Sequence, residues 1–457
     1  MICSIPLAAL LAASSGQDPA WTQAKLEATS AEIQKDVEEL RGVKFLRPVK
    51  VKLSDTAGLR DYMRQREAAM ASPGRLHRDE CTAKLLGLVA PGLDLRALEM
   101  EVLEGQVGGF YDPSSDTFFL MDAMKGAVAK VILAHELTHA LDDQLHDIDA
   151  VLKAANDETD AELAIRSVIE GSGTNLMNRW TVAHGKEIPA SEMQELSTMG
   201  ADALRKAPPL LWKPLIASYF AGDGFLSRGG GMNLTMKPAD PADVDRAFRE
   251  PPRSTEQILH PERYWDAGKR DEPVRVKFDT RKLPEGWTEL AQDTLGEMAL
   301  ALLTTPVAER KGFDMSNPMS VLGLKFTNEP AKGWGGDRLI LLGRGDDRFL
   351  QLVTVWDSVK DAGEFVGALE KVAPKLFAGP RDAAAGWVAR FTPTHFDVNA
   401  RQDVQSPVFV VVRAASFTAA DDTAFAGLDV PWSSGRESKD GPAGSGKEPG
   451  GSAKDGR

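Results

Sequence analysis

Between Gly126 and Leu145 apolar residues fall on nearly every side of a projected helix: Val128, Val131, Ile132, Leu133, Leu137, Ala140 and Leu141. A helix apolar all round belongs in the middle of a domain rather than on its surface. Upstream, Trp21–Leu40 reads as an amphipathic helix with Leu26, Ile33, Val37 and Leu40 on one side. Lys44–Leu53 alternates as a strand, and Pro48 assigns it to an edge or a start because proline cannot donate to a ladder. Helices are expected at Ala57–Ala71, Arg78–Val89 and Leu95–Leu103, broken by Ser72-Pro-Gly74 and Pro91-Gly92. Gln106–Met121 gives two strand-like runs about the turn Asp112-Pro-Ser-Ser-Asp116, a hairpin just before the apolar helix.

Asp157–Ile169 is acidic at its start and apolar at Leu163, Ile165, Val168 and Ile169, the charge order a helix N-terminus favours. Further helices follow at Ala190–Leu204, around Tyr219 and Phe220, and after a cap at Ser254 or Thr255. From about Pro273 the pattern changes. Trp287–Leu303 reads as one more amphipathic helix, followed by strands at Arg338–Leu342 and Phe349–Val355, a helix at Lys360–Lys371, and strands at Trp387–Phe391 and Val408–Arg413. The expected class is therefore α+β. A mainly α-helical domain with a small sheet occupies 17–272, and a smaller α+β domain with an antiparallel sheet occupies 273–430. Residues 431–457 are Gly, Ser, Lys, Glu and Pro with little to bury, and are expected to be disordered.

The polar positions on the buried helix change the picture. His135, Glu136 and His139 are groups that an apolar interior tolerates only when something satisfies them. A lone buried histidine is ordinarily a hydrogen-bonded core residue. Here two of the seven histidines in the chain stand four apart, one turn above the other, with a glutamate beside the first. That spacing lets two imidazoles reach one Zn²⁺ at about 2.0–2.1 Å, with Glu136 turned aside to take a proton from a metal-activated water. A catalytic zinc needs a third protein ligand. A histidine six residues past His139 is absent, since that position is Leu145, and His146 is too far along the helix. The candidates are the carboxylates Glu158, Asp160, Glu162 and Glu170 on the next helix. Glu170 fits best, because it alone lies at the apolar end, after Val168-Ile169 and before small residues that allow close backbone approach.

Charge and composition narrow the partners. With 457 residues, 42% hydrophobic and 26% charged, the chain is an ordinary globular composition with room for two domains. A net charge of −13 with no concentrated basic face argues against a nucleic-acid partner, and no run is long enough to cross a bilayer. Residues 1–16 look like a signal peptide cut short, apolar from Ile5 to Ala13 but without a basic start, which points to export. Cys3 would leave with it and Cys81 would stand alone, so no disulfide framework is expected; Cys81 reads as a core residue.

Three runs together carry a resemblance: His135-Glu-Leu-Thr-His-Ala-Leu-Asp-Asp-Gln144, Glu170-Gly-Ser-Gly-Thr174 and Ser254-Thr-Glu-Gln-Ile-Leu-His-Pro261. They resemble the gluzincin class of zinc metallopeptidases, and more narrowly a group of exported bacterial HExxH proteins. That group's pattern also includes a hairpin matched by Gly109–Pro113 and a run matched by Gly333–Arg338. The resemblance implies a zincin-like fold for 17–272, one Zn²⁺ held by His135, His139 and Glu170, and Glu136 as general base. It would place an acidic residue at 172, where this chain has Ser172. The activity it implies is peptide-bond hydrolysis; the outer strand of the hairpin offers free backbone groups to an extended peptide or protein substrate beside the metal, the alternative being that it is only a packed hairpin. A donor for the developing oxyanion is also needed, with His260 the first candidate and Tyr264 and Tyr219 its rivals. Asp142 or Asp143 would orient the ligand histidines. The alternative is a non-catalytic zinc-binding envelope protein acting as a binding module; hydrolysis of a non-peptide amide would use the same residues.

Overall fold

The computed structural model describes residues 20–72, 74–90, 92–105, 107–155, 158–189, 191–192, 201–229, 237–314, 323–376, 389–392, 408–416 and 428–435. The leader-like residues 1–16, residues 230–236 and the tail beyond 435 lie outside them. The fold is α+β, with fourteen described helices and several small sheets.

In chain order the helical part comprises α1 (Gln23–Arg41), β1 (Lys50–Ser54), α2 (Thr56–Met70), α3 (Arg75–Leu85), α4 (Leu95–Glu104), β2 (Gly109–Asp112), β3 (Thr117–Met121), α5 (Val128–His146), α6 (Ile148–Lys153) and α7 (Thr159–Ala183). Then follow α8 (Ala201–Lys206), α9 (Pro209–Leu226), α10 (Pro241–Arg249), α11 (Thr255–Leu259) and α12 (Glu262–Trp265). The first sheet has the order β1-β3-β2, with β1 parallel to β3 and β2 antiparallel to it. Its apolar residues Phe118 and Leu120 join Leu26, Ile33 and Val37 of α1 in one core around α5. Every residue of α5 from Val131 to Gln144 is buried, as its all-round apolar pattern requires.

Three expectations about this part need refinement. The strand expected at Lys44–Leu53 begins only at Lys50. Pro48 has no amide to give, and the amides of Leu46 and Arg47 are taken by Gln144 Oε1 at 2.9 and 3.1 Å. The helix on 157–169 runs much further, to Ala183, because Gly171 and Gly173 are held by packing that outweighs their low helix propensity. Of the helix expected over Ala190–Leu204, the described residues 191–192 and 201–204 are helical, the latter the start of α8.

The second part comprises β4 (Arg275–Phe278), β5 (Thr288–Asp293), α13 (Gly296–Thr304), β6 (Trp334–Arg344), β7 (Asp347–Trp356), α14 (Val359–Leu376), β8 (Ala389–Thr392), β9 (Val408–Ser416) and β10 (Trp432–Gly435). Five strands form an antiparallel sheet in the order β5-β6-β7-β9-β8, with α13 and α14 packed on the face that carries Leu339, Leu341, Leu350 and Leu352. Cys81 of α3 sits in that same core, 3% exposed. The single helix expected over Trp287–Leu303 is instead a strand and a short helix. Gly296 at φ +79° interrupts the run, and Asp337 accepts the amides of Leu295 and Gly296, both at 2.8 Å. The tail expected to be disordered from 431 contributes β10, whose residues Trp432–Gly435 pair antiparallel with β4. A strand edge accepts any backbone, so a composition poor in apolar residues did not prevent the pairing.

The two parts meet at the start of α7. Asp160 accepts the amide and hydroxyl of Thr255 at 2.9 and 2.6 Å, and a β-carbon on Gly296 would fall 1.8 Å from its Oδ1. Glu158 pairs with Arg338 (2.8 Å) and Arg275 (2.9 Å) from the sheet side. Burial pushes the Asp160 carboxyl up to about 8, against hydrogen bonds from Thr255 that lower it. The folded chain therefore holds a proton between about pH 4 and 8 that the unfolded chain releases, so this group's contribution is complete below pH 4 and lost as pH rises through 8. Asp160→Asn keeps the Oδ1 acceptor and cannot ionise. Its melting temperature relative to wild type should rise by roughly 5 °C or more between pH 5 and pH 8. A flat difference in paired thermal melts across that range would contradict it.

Candidate metal centre

The buried middle of α5 presents His135 and His139 on one face and Glu136 beside them, each no more than 1% exposed. The two imidazoles stand edge to face, 4.4 Å between centroids and 88° between planes, which brings their Nε2 atoms to 2.9 Å. Across from them α7 supplies Glu170, whose Oε2 lies 3.2 Å from His135 Nε2 and 3.5 Å from His139 Nε2. Among the described residues these three form one of two groups compact enough to hold a cation.

The run Glu170–Thr174 explains why α7 can come so close. A β-carbon on Gly171 would lie 2.3 Å from the Gly222 carbonyl carbon of α9, and one on Gly222 would lie 2.0 Å from the Ser167 carbonyl oxygen. The helices thus cross backbone to backbone. A β-carbon on Gly173 would lie 2.7 and 2.8 Å from the Cε1 atoms of His135 and His139. Both rings therefore rest against a bare helix backbone. Between the two glycines, Ser172 donates to Asp142 Oδ2 of α5 at 2.5 Å, and Arg41 from α1 closes on Asp142 Oδ1 at 3.2 Å. Ser172 is thus a tie between the two helices that bring these side chains together.

The donors fit a divalent cation. Bonds of about 2.0–2.1 Å in tetrahedral directions set ligand atoms about 3.3 Å apart, and the three separations here run from 2.9 to 3.5 Å. Burial, then the charge of His139, pushes His135 down to about 4, so at neutral pH it offers a lone pair. Burial opposes ionisation of Glu170, but hydrogen bonds and charge from His135 and His139 bring it down to about 2. Glu136 goes the other way: burial, with the Glu170 charge behind it, raises its carboxyl well above the usual range. Neither of its oxygens has a hydrogen-bond partner, and the Tyr111 backbone gives only a weak opposing contact. An unsatisfied buried carboxyl is costly unless a ligand or reaction uses it.

Other candidates are placed elsewhere. His260, the first choice as oxyanion donor, caps α11 and pairs with Glu297 (3.1 Å), on the far side of the Asp160 junction. Tyr264 donates to the Glu250 carbonyl at 2.6 Å. Tyr219 of α9 does reach the cluster, its ring lying 5.8 Å from that of His135 at 23°. Neither Asp142 nor Asp143 orients a ligand histidine: the first serves Arg41 and Ser172, the second accepts from Tyr111 (2.9 Å) and the Ile148 amide (3.0 Å). Both ligand Nδ1 atoms lack a hydrogen-bond partner, with the Gly173 backbone closest to that of His135. Glu158 and Asp160 are committed to the junction, Glu162 pairs with Arg75 and Arg166, and His146 pairs with Asp245. The second compact group, Glu256, Asp271 and Asp357, surrounds the Arg263 guanidinium at 2.6, 2.8 and 3.3 Å and is an ion-pair network.

Comparison with known proteins gives a match over the second part alone. No curated protein and no solved structure matches the chain. Residues 282–424, which span all five strands of the larger sheet together with α14 and leave α5 and α7 outside, match the family described as a domain of unknown function (DUF8575).

Proposed function

We propose that the protein is a metallopeptidase in which His135, His139 and Glu170 hold one divalent cation, zinc by the choice of donors, and Glu136 is the general base. The observation that carries this reading is Glu136 itself. A structural cation site needs ligands and no base, yet here a buried carboxyl with both oxygens unsatisfied stands beside three converging donors. When bound, a zinc ion supplies Lewis acidity that polarises an amide carbonyl and acidifies a water.

The chain's own groups do the rest. Beside the three donors, the Glu136 carboxylate, ionised once a positive charge is in place there, is the group to accept a proton from an attacking water and return it to the leaving amine. Tyr219, whose ring lies against that of His135, is our candidate to donate to a developing oxyanion in place of His260. Strand β2 lies at the sheet edge beside α5, so an extended peptide can pair with it next to Glu136. The leader-like start of the chain supports action outside the cytoplasm.

Chelation provides the direct test. Full-length protein stripped with a strong chelator should lose cleavage of denatured casein, and one equivalent of Zn²⁺ should restore most of it. If the protein as purified binds zinc stoichiometrically but cleaves neither casein nor a broad peptide library, the non-catalytic binding module becomes the better reading.

A further inference from the structure

In an antiparallel pair, alternate residues turn both backbone polar groups away from the partner strand. The Met121 amide donates to the Gly108 carbonyl at 3.0 Å, and the register pairs Gly109 with Leu120 and Tyr111 with Phe118. The outward-facing groups of β2 are therefore those of Gly109 and Tyr111. These are the groups a peptide substrate would use, and one of them, the Tyr111 carbonyl, is already taken by helix α2.

Tyr62 of α2 donates its hydroxyl to the Tyr111 carbonyl at 3.1 Å, and its ring stacks on Phe110 at 4.4 Å and 24°. One turn on, Arg66, 4% exposed, grips both oxygens of Asp149 in α6 at 2.8 and 2.6 Å. Leu59, Tyr62, Met63 and Arg66 form one buried face, through which α2 is tied both to β2 and to α6. The centre itself is closed: His135 and Glu136 are wholly buried and Glu170 is 7% exposed. No peptide reaches Glu136 until something moves.

We propose that α2 is an autoinhibitory strap, held by Tyr62 on the Tyr111 carbonyl and by Arg66 on Asp149, which substrate or a partner displaces to open the centre. This rests on the peptidase reading and names how that site is regulated. The exchange is chemically even at the strand, because a peptide N–H replaces the Tyr62 O–H as donor to the same carbonyl. The connections suit a swinging element. The helix starts at a side-chain cap, Asp55 on the Gly58 amide (2.8 Å), and ends where Ala71 is extended and Gly74 takes φ +76°. Arg66→Ala removes the anchor without touching the metal ligands or Glu136.

The test compares wild type, Arg66→Ala and Tyr62→Phe as full-length, zinc-loaded proteins, by hydrogen exchange over residues 107–112 and by casein cleavage. Exchange in that segment should rise at least tenfold in Arg66→Ala and less in Tyr62→Phe. Cleavage should rise several-fold, with protection of α5 and zinc content unchanged. Wild-type exchange rates in a variant whose α5 remains protected would overturn the strap, as would faster exchange accompanied by slower cleavage. Faster exchange with no cleavage in any of the three proteins supports the strap and removes the peptidase reading. If Arg66→Ala also loses α5 protection, the milder Tyr62→Phe decides.

Discussion

Glu136→Gln should abolish peptide hydrolysis while leaving the cation in place. The glutamine is the same size and sits among the same neighbours, but it cannot hold a proton between steps. Loss of a general base costs about 10²–10⁴-fold in kcat, and zinc content by elemental analysis should stay near one per chain. The substitution should also raise the melting temperature by a few degrees at neutral pH, because a buried, unpaired carboxyl is replaced by a neutral amide. Retention of more than a tenth of wild-type kcat would remove Glu136 from the role assigned to it. Loss of zinc in the variant would instead make Glu136 a ligand, contrary to the three-donor geometry of His135, His139 and Glu170.

Gly173→Ala should have a comparably large effect, on the cation rather than on the chemistry. Its methyl group would fall 2.7 and 2.8 Å from the two imidazole Cε1 atoms and 2.9 Å from His135 Nδ1. Those rings have nowhere to go, since Tyr219 lies over one and both are buried in the α5 core. Either the rings rotate out of convergence or α5 and α7 separate, and overpacking of this kind costs about 1–3 kcal/mol of stability. Zinc affinity, read by competition with a chromogenic chelator, should fall at least tenfold. An affinity within twofold of wild type would mean that the imidazoles do not need this helix surface to meet.

The serine at 172 belongs to the same arrangement. It gives a hydroxyl to Asp142, whose charge is already met by Arg41. An acidic residue there would oppose Asp142 at hydrogen-bond distance, so in this chain the pair Ser172 and Asp142 go together.

The chain alone specified the parts of this centre that depend on local spacing. Four residues along a helix put His135 above His139, and apolar neighbours on all sides of that helix put both in the interior. Within the next helix, an apolar approach and two glycines distinguished Glu170 from Glu158, Asp160 and Glu162. Those are properties of a single segment and its period, and they survive whatever the rest of the chain does. The tertiary path decided everything that joins distant segments. It carried His260 to Glu297 and brought Tyr219 to His135, although His260, with its polar neighbours, was the first candidate and Tyr219 only a rival. It turned Thr288–Asp293 into a strand, since an amphipathic run that short suits either period until a partner strand is present. It also laid Tyr62 across the Tyr111 carbonyl, 49 residues away in sequence. Periodicity reports which face of an element is buried and says nothing about what covers it. Only the packed structure brings that second surface into contact.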